Sequence, residues 1–236
     1  MHRLIFAAAI GFVALATPVA AAERRYIVTD FDTLRLEGPI EVAVTSGRGA
    51  SARGEGDATM LARIDLAVSA RALVIRLKPS PFETGRARAS GGPVKLFLTV
   101  PALRRVQLAG AGALKVAGLD KLKAEIAATG SGAVTVSDIA TDRLDVVQTG
   151  AGSIQLAGEA KQLDIQVAGS GNLAAGDLAS RDLTLRLQGA AAIEASAERS
   201  ARIVVMGPGS VVVTGKAACT VEQRGSGSVR CGGQDF

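Results

Sequence analysis

The residues best suited to chemistry in this sequence are two cysteines, Cys219 and Cys231, which lie twelve residues apart. Two thiols can form a disulfide or contribute to a metal site. A tetrahedral zinc site needs four nitrogen or sulfur ligands, and the only histidine is His2, close to the N-terminus. We therefore expect a disulfide between Cys219 and Cys231 and no metal site.

Three carboxylates recur at a regular interval, because Glu125, Asp145 and Asp164 are separated by 20 and 19 residues. If the chain returns to the same place at that interval, these side chains form one outward-facing column. Neighbouring carboxylates can serve as an acid–base pair or bind a cation. The alternative is a solvated face, where charged side chains are the usual occupants.

The sequence lacks the common signatures of an enzyme. Beyond His2 there is no histidine for a Ser-His-Asp or Cys-His arrangement. The glycine-rich segments match neither a phosphate-binding P-loop nor the calcium-binding β-roll motif. The net charge of +5 is spread along the chain, which argues against a concentrated nucleic-acid-binding patch. We predict a non-enzymatic protein without a cofactor and without a nucleic-acid partner.

The elements that position these residues are set by an internal repeat. A small-residue triplet, usually Gly-Ala-Gly or Gly-Ser-Gly, occurs seven times, and its first glycines are separated by 20, 20, 19, 20, 18 and 18 residues. These first glycines are Gly110, Gly130, Gly150, Gly169, Gly189, Gly207 and Gly225. Such an even period indicates stacked structural units, each too small to bury its apolar face alone.

Each triplet is flanked by β-strand patterns. The residues four before and four after every first glycine are aliphatic, as Ile126 and Val134 are around Gly130, and polar residues fill the alternate positions. We predict an all-β fold, a β-solenoid similar to a parallel β-helix, with about seven coils of 18–20 residues and two facing parallel sheets. A meander of antiparallel hairpins or a sandwich is the alternative.

The register of the repeat also predicts where the two cysteines and two inward glutamines lie. Cys219 and Cys231 lie six residues before and six after Gly225, in inward columns, so they face each other across the last coil. That coil must narrow, because facing sheets are about 10 Å apart and a disulfide needs Cα atoms within about 7 Å. Gln148 and Gln223 interrupt an inward column that is otherwise aliphatic, and a buried amide needs hydrogen-bond partners.

The N-terminal part divides into a leader and an irregular β segment. A basic start, an apolar run and small residues ending at Ala22 are typical of a cleaved signal peptide over residues 1–22. An uncleaved anchor helix is the alternative, but the run is shorter than the roughly 20 residues of a membrane span. Residues 23–101 form an atypical β segment that we expect to cap the solenoid of residues 102–236.

Within the N-terminal β segment we predict strands over residues 33–36, 40–45, 64–68, 73–77 and 94–100. Residues 54–57, Gly-Glu-Gly-Asp, predict a turn, and residues 58–61 predict a short, helix-like link. Residues 79–93, rich in Pro, Gly and Ser, predict an exposed loop in which Arg86 and Arg88 either contact an anionic partner or are simply solvated.

The order of these elements resembles a known family. The segments FDTLRLEGPIEVAVTSG, GDATMLARI, LVIRL and VKLFLTVPALRRVQLAGAGALKV, followed by the triplet repeats, are similar to the head GIN domain of "putative autotransporter adhesins". The resemblance covers roughly residues 30–232. It implies a β-solenoid-like fold outside the cytoplasm and supplies no catalytic residues.

We therefore predict an exported binding or adhesion-type module of the cell envelope, in the periplasm or at the cell surface, with envelope polysaccharide or protein as partner. Outward Val147, Val204, Met206 and Val212 would form an apolar contact patch if they cluster. A polysaccharide-active β-helix enzyme is one alternative. Another is a structural envelope protein that associates end to end, which the charged residues of the last coil, Glu222, Arg224 and Arg230, would discourage.

Overall fold

The structure of the protein is a computed structural model that describes residues 22–79 and 94–236. Residues 1–21, which contain His2 and nearly all of the predicted signal peptide, lie outside the described residues. The same is true of residues 80–93, which contain Arg86 and Arg88.

The described N-terminal part contains seven strands and one helix. They are β1 (Ala22–Tyr26), β2 (Thr33–Glu37), β3 (Glu41–Ser46), β4 (Ser51–Gly56), α1 (Ala58–Arg63), β5 (Ile64–Ser69), β6 (Ala72–Leu77) and β7 (Val94–Val100). The repeat part continues with thirteen strands. They are β8 (Arg105–Gly110), β9 (Ala113–Leu119), β10 (Lys123–Gly130), β11 (Ala133–Gly150), β12 (Ser153–Gly169), β13 (Asn172–Ala175), β14 (Leu178–Gly189), β15 (Ala192–Ser196), β16 (Ser200–Met206), β17 (Ser210–Thr214), β18 (Ala218–Arg224), β19 (Ser228–Cys231) and β20 (Gln234–Asp235).

The predicted repeat stacking is confirmed. Equivalent residues of consecutive repeats pair in parallel register, so Ile126 lies beside Val146 and Val146 beside Ile165, and all three are fully buried. The chain forms a β-solenoid of about six turns. The antiparallel hairpin alternative is wrong for the repeats, because their strands pair in parallel with the next repeat and not across the triplet.

We call the strands that lead into the triplets the pre-turn sheet and those that leave them the post-turn sheet. The corner between the two sheets needs glycine at two positions, the first and the third residue of the triplet, for two different reasons. Gly150, the first residue of its triplet, has a φ of +114°, which side chains rarely allow. Gly132, a third residue, has ordinary φ, but an added Cβ would lie 2.4 Å from the carbonyl oxygen of Gly112 in the turn below. Close stacking of backbone corners therefore explains the triplet.

A third, short ladder closes the coil on the side opposite the triplets, where we expected a polar loop. Ile139–Thr141 of β11 pair with residues 158–160 of β12, which pair with residues 178–180 of β14. The turns that contain this ladder therefore have three faces instead of the predicted two.

The N-terminal strands extend both sheets, but their order in space differs from their order in sequence. The turn built from β2 and β3 lies between the β6–β7 turn and the β8–β9 turn. Antiparallel strands complete this end, with β5 beside β6, β4 beside β7, and β1 beside β4.

Helix α1 packs over this N-terminal end. Asp57 begins the helix by accepting hydrogen bonds from the backbone N–H groups of Thr59 and Met60, and Leu61 is buried. The predicted turn over residues 54–57 is wrong for residues 54–56, because these residues belong to β4, which ends at Gly56. Gly54 leaves room for this packing, since an added Cβ would lie 2.6 Å from a methyl carbon of the buried Leu61 and would force that side chain to shift.

The last turn contains the predicted disulfide between Cys219 and Cys231, whose Cα atoms are 6.2 Å apart. In the preceding turn the two equivalent inward positions are taken by Ala201 and Val213, both buried. The Cα separation at the disulfide is below the roughly 10 Å spacing of facing sheets, so the expected narrowing of the last turn is present at this pair.

Candidate functional site

The predicted carboxylate column is present on the outer side of the pre-turn sheet. Glu125 pairs in register with Asp145, and Asp145 with Asp164. Each carboxylate forms an ion pair with a positively charged side chain. The nearest nitrogen–oxygen distances are 2.8 Å from Arg105 to Glu125 and 2.9 Å from Arg143 to Asp145. Longer contacts of 3.3 Å from Lys123 to Asp145 and 3.7 Å from Arg186 to Asp164 complete the series.

This arrangement is an ionic ladder in which the Arg105–Glu125, Lys123–Asp145 and Arg186–Asp164 pairs join neighbouring strands, while the Arg143–Asp145 pair lies within β11. Opposite charges on neighbouring strands contribute to sheet stability. The carboxylates of the ionic ladder are neutralised by guanidinium and ammonium groups, which leaves the acid–base and cation-binding interpretations without support from the geometry. Among the described residues, no cluster of three or more His, Cys, Asp and Glu side chains is placed to hold a metal ion.

The predicted apolar contact patch does not form as a unit. Val204 and Met206 lie together on the outer side of β16. Val147 is in the same row as Val204, but Gln166 and Arg186 on the two intervening strands separate them. Val212 lies on β17, in the post-turn sheet. The condition for a patch is therefore not met, because the four residues lie in two different sheets and Val147 is three strands from Val204.

A groove marks the place where the third ladder ends. Seven residues link the two sheets after Val136, six after Leu156 and seven after Ala175, but only five follow Ala195 before the next inward residue, Ala201. The shorter link is not part of the ladder, but its Glu198 and Arg199 N–H groups still donate to the carbonyl oxygens of Ser180 and Arg181. We call the concave surface along the ladder, next to the point where the repeat shortens from 20 to 18 residues, the ladder groove.

The ladder groove has a volume of about 370 Å³, with small side chains at its base and charged side chains around them. Ala140 and Ala179 are exposed alanines on its surface. The Asp142 carboxylate and the Lys161 ammonium form an ion pair of 2.6 Å across neighbouring strands. The complete lining consists of Ala140, Thr141, Asp142, Glu159, Ala160, Lys161, Ala179, Ser180, Arg181 and Glu198.

Two hydroxyl groups lie beneath the groove in the inward column of the ladder. The Ser180 hydroxyl donates to the carbonyl oxygen of Ser196, at 2.5 Å, which fixes the chain where the ladder ends. The buried hydroxyl of Thr141 has no hydrogen-bond partner among the described residues. Thr141 and Ser180 flank Ala160 in register, so the inward column is small throughout.

A charged contact joins the two turns beside the groove. Arg199, within the short link, donates from Nε to Asp182 at 2.8 Å and from a second nitrogen to the other carboxylate oxygen. Ser200 donates to the same carboxylate at 2.6 Å. These hydrogen bonds, first from Arg199 and then from Ser200, lower the pKa of Asp182 below its usual value. The bidentate pair therefore joins the last ladder-bearing turn to the first turn without a ladder.

Sequence reasoning missed the ladder groove, because its residues lie in segments that were predicted as polar loops. The signal that was available is the length of the link between the inward residues on either side of the loop. That length falls from seven to five residues where the groove lies.

The described residues give no membrane-crossing helix, since α1, their one helix, has only six residues. No curated protein matches the sequence.

Several solved structures share this fold. A "putative adhesin" from Bacteroides fragilis superimposes with a TM-score of 0.81 at 22% identity, covering 90% of this chain and 97% of that one. A "putative lipid binding protein" from Parabacteroides distasonis gives 0.69 at 17% identity, with coverages of 90% and 97%. A "putative adhesin" from Parabacteroides merdae gives 0.68 at 17% identity, with coverages of 90% and 96%. At these identities the similarity shows the fold alone.

The resemblance found in the sequence is confirmed by a family model. The model described as "Putative auto-transporter adhesin, head GIN domain" matches residues 30–217, which include the N-terminal strands and most of the triplet repeats. The chain belongs to this head GIN domain family.

Proposed function

We propose that this protein is an exported, non-enzymatic binding module of adhesion type, which holds an envelope polysaccharide or an envelope protein at the ladder groove. The observation that carries the proposal is the groove itself, a concave surface with exposed alanines and paired charges on an otherwise regular solenoid. The proposal includes removal of residues 1–22 as a signal peptide, residues 23–101 acting as a cap, and location in the periplasm or at the cell surface.

The chemistry of the groove suits a polar, extended ligand. Ala140 and Ala179 have short side chains, so a ligand can approach the ladder backbone closely. Lys161 and Arg181 supply donors, and Glu159 and Glu198 supply acceptors, within one small area. Alternating donors and acceptors match the hydroxyl and carboxylate groups of a polysaccharide or the side chains of a protein. The parallel ladders beneath hold these groups at fixed spacings.

The comparisons support the adhesion-type class and leave the ligand open. The family description names adhesins, and two of the solved structures are described as adhesins. One is described as a lipid-binding protein, and that description applies to that protein.

The test is binding of the purified chain lacking residues 1–22 to a glycan array, to purified envelope polysaccharide and to purified envelope proteins. Ala179→Arg places a large side chain in the groove. Ala192→Arg makes the same change at an exposed alanine of the post-turn sheet and serves as the control. We expect binding by the wild type and the control, and at least tenfold weaker binding by Ala179→Arg.

Three results would count against the proposal. Equal binding by all three proteins would place the site elsewhere. Absence of binding to any polysaccharide or purified envelope protein would remove the adhesion-type function. Release of new reducing ends from a bound polysaccharide would show the polysaccharide-active enzyme instead.

A further inference from the structure

A second pocket lies on the outer side of the N-terminal strands, on a different face from the ladder groove. Ser51 and Arg53 of β4 are exposed on this side, whereas Ala52 between them is buried. Helix α1 packs against the other side of β4, at Gly54. The pocket has a volume of about 400 Å³ and is lined by Arg25, Ser51, Ala52, Arg53, Phe97 and Thr99. We call it the arginine pocket.

Two arginines meet in this pocket. Arg25 of β1 and Arg53 of β4 are direct partners in the antiparallel register, so their side chains leave the sheet on the same side. The Cβ atoms of such partners are about 5 Å apart, and like charges placed there destabilise a sheet. The next outward pair, Glu23 and Glu55, places two carboxylates opposite each other. The two strands therefore separate their charges into a basic pair and an acidic pair, instead of neutralising them across the ladder.

The carboxylates stay outside the arginine pocket. Each arginine contacts the glutamate two residues away on its own strand, Arg53 with Glu55 at 3.0 Å and Arg25 with Glu23 at 3.7 Å. Neither glutamate lines the pocket, and no other carboxylate from the described ranges lines it. The arginine side chains keep 88% and 47% of their surface exposed. Because a guanidinium group carries five N–H donors, both arginines retain donors for an anion.

Phe97 holds one of the two guanidinium groups in place. Arg53 and Phe97 are register partners on β4 and β7, and the guanidinium group lies over the ring, 5.1 Å from its centroid. A cation–π contact of this kind fixes the plane of the guanidinium group. A donor that is already oriented loses less conformational entropy when a ligand binds.

The hydroxyl groups of the arginine pocket offer acceptors. The Thr99 hydroxyl donates to the carbonyl oxygen of Gly49 at 2.6 Å, so the proton in its 2.7 Å contact with Ser51 comes from Ser51. Both hydroxyl protons are thereby used, and both oxygens keep lone pairs. A ligand that matches this pocket therefore brings an oxyanion to the arginines and a hydrogen-bond donor to Ser51 and Thr99.

We propose that the arginine pocket binds an acidic sugar, whose carboxylate bridges Arg25 and Arg53 and whose hydroxyl groups donate to Ser51 and Thr99. Guanidinium groups bind carboxylates through strong, charge-assisted hydrogen bonds. The bound carboxylate also offsets the repulsion between the two arginines, which favours binding further. A neutral sugar satisfies only the hydroxyl oxygens, and a sulfate ion satisfies only the arginines. This site is independent of the ladder groove.

The test is isothermal titration of the chain lacking residues 1–22 with trigalacturonate at low ionic strength. We expect a dissociation constant on the order of 0.1–1 mM. The neutral sugar galactotriose should bind roughly tenfold more weakly or worse, because it lacks the charge-assisted contacts. Trigalacturonate should bind more weakly in about 0.5 M NaCl, since salt screens exposed charges.

Two variants remove the same charge at different places. Arg25→Gln changes the arginine pocket, and Arg202→Gln changes an exposed arginine on the outer side of β16. We expect Arg25→Gln to weaken trigalacturonate binding roughly tenfold or more and Arg202→Gln to leave it unchanged. The melting temperature of Arg25→Gln at low ionic strength should be no lower than that of the wild type. The change removes a like-charge pair, and a long, exposed ion pair such as Arg25–Glu23 adds little stability.

Two further variants test the sugar and the place where it binds. Ser51→Ala should weaken trigalacturonate binding roughly threefold or more, through loss of one hydrogen bond, and should leave sulfate binding unchanged. Ala179→Arg, which fills the ladder groove, should change neither, so failure of the groove and failure of the arginine pocket can be told apart.

Four results would overturn the proposal. A wild type that does not bind trigalacturonate at about 10 mM has no such site. Equal weakening by Arg25→Gln and Arg202→Gln would show a general effect of net charge. Equal affinity for galactotriose would remove the carboxylate contact. Weakening by Ala179→Arg, with Arg25→Gln unaffected, would place the acidic sugar in the ladder groove instead.

Discussion

The side-chain amide of Gln148 donates a hydrogen bond to the carbonyl oxygen of Gly152, at 2.6 Å, across the Gly-Ala-Gly corner. Gln223 does the same with Gly227, also at 2.6 Å. These bonds confirm that the two inward amides find partners. Gln148 is only 1% exposed, however, and its Oε1 atom has no partner among the described residues. The bond therefore leaves one buried acceptor unsatisfied.

Replacement of Gln148 by leucine should stabilise the protein by about 1 kcal/mol, because it removes an unpaired buried oxygen. The column accepts leucine elsewhere, since Leu108 and Leu187 pack against the third triplet residues of their next turns. The Gly152 carbonyl keeps a hydrogen bond from the N–H of Asn172. Urea unfolding measures the change, and Gln223→Leu, at a half-exposed position, should have a smaller effect. Destabilisation by Gln148→Leu would show that the amide oxygen has a partner such as a buried water.

Replacement of Gly150 by alanine should destabilise the protein by roughly 2–4 kcal/mol, from the positive φ and from overpacking. The new Cβ would lie 2.5 Å from the carbonyl oxygen of Gly130. Gly176→Ala is the matched control, because its φ is ordinary and no heavy atom lies within 4 Å of an added Cβ. Thermal unfolding distinguishes the two variants. Equal melting temperatures would contradict the explanation of the triplet by close stacking.

Reduction of the Cys219–Cys231 disulfide should loosen the last turn and leave the earlier turns intact. The bond closes a short loop, with twelve residues of sequence separation, and contributes on the order of 3 kcal/mol. Each turn of a solenoid contacts mainly its neighbours, so the loss stays local. Hydrogen exchange with and without reductant should show faster exchange in β18 and β19 and unchanged exchange in β10. Faster exchange throughout would mean that the solenoid unfolds as one unit.

The Asp182–Arg199 pair should make stability depend on pH. The pKa of Asp182 is lower in the folded protein than its usual value of 3.8, chiefly because Arg199 and Ser200 donate to it. Its stabilising effect is therefore complete well above pH 4 and is lost as the pH falls through the folded pKa. The melting temperature of Asp182→Asn should be below that of the wild type at pH 6, and the gap should close towards pH 2. A gap that stays constant with pH would mean that ionisation of Asp182 does not matter.

The regular part of this molecule was predictable from its sequence, and the irregular part was not. The spacing of Gly130, Gly150 and Gly169 placed the inward columns, the outward carboxylates and the disulfide, because identical turns repeat identical contacts. The N-terminal strands were predicted to within one residue at most ends, but β1 and β4 were missed and the spatial order was not foreseen. Nothing periodic connects β2 with β6 or β8, and such long-range pairings leave little trace in a single sequence. The ladder groove was missed for a related reason: it arises where the period changes.

The placement of the β2–β3 turn between two turns that follow it in sequence has a consequence for how the chain folds. A chain made from its N-terminus completes β2 and β3 long before β6 to β9, the strands that flank them on both sides. The first turn therefore gains its neighbour on one side only when β7 is complete at Val100, and its neighbour on the other side only when β9 is complete at Leu119. Contacts so distant in sequence form slowly. Each remaining turn pairs only with turns that are adjacent in sequence, so we expect closure of this N-terminal junction to be slower than addition of the repeats.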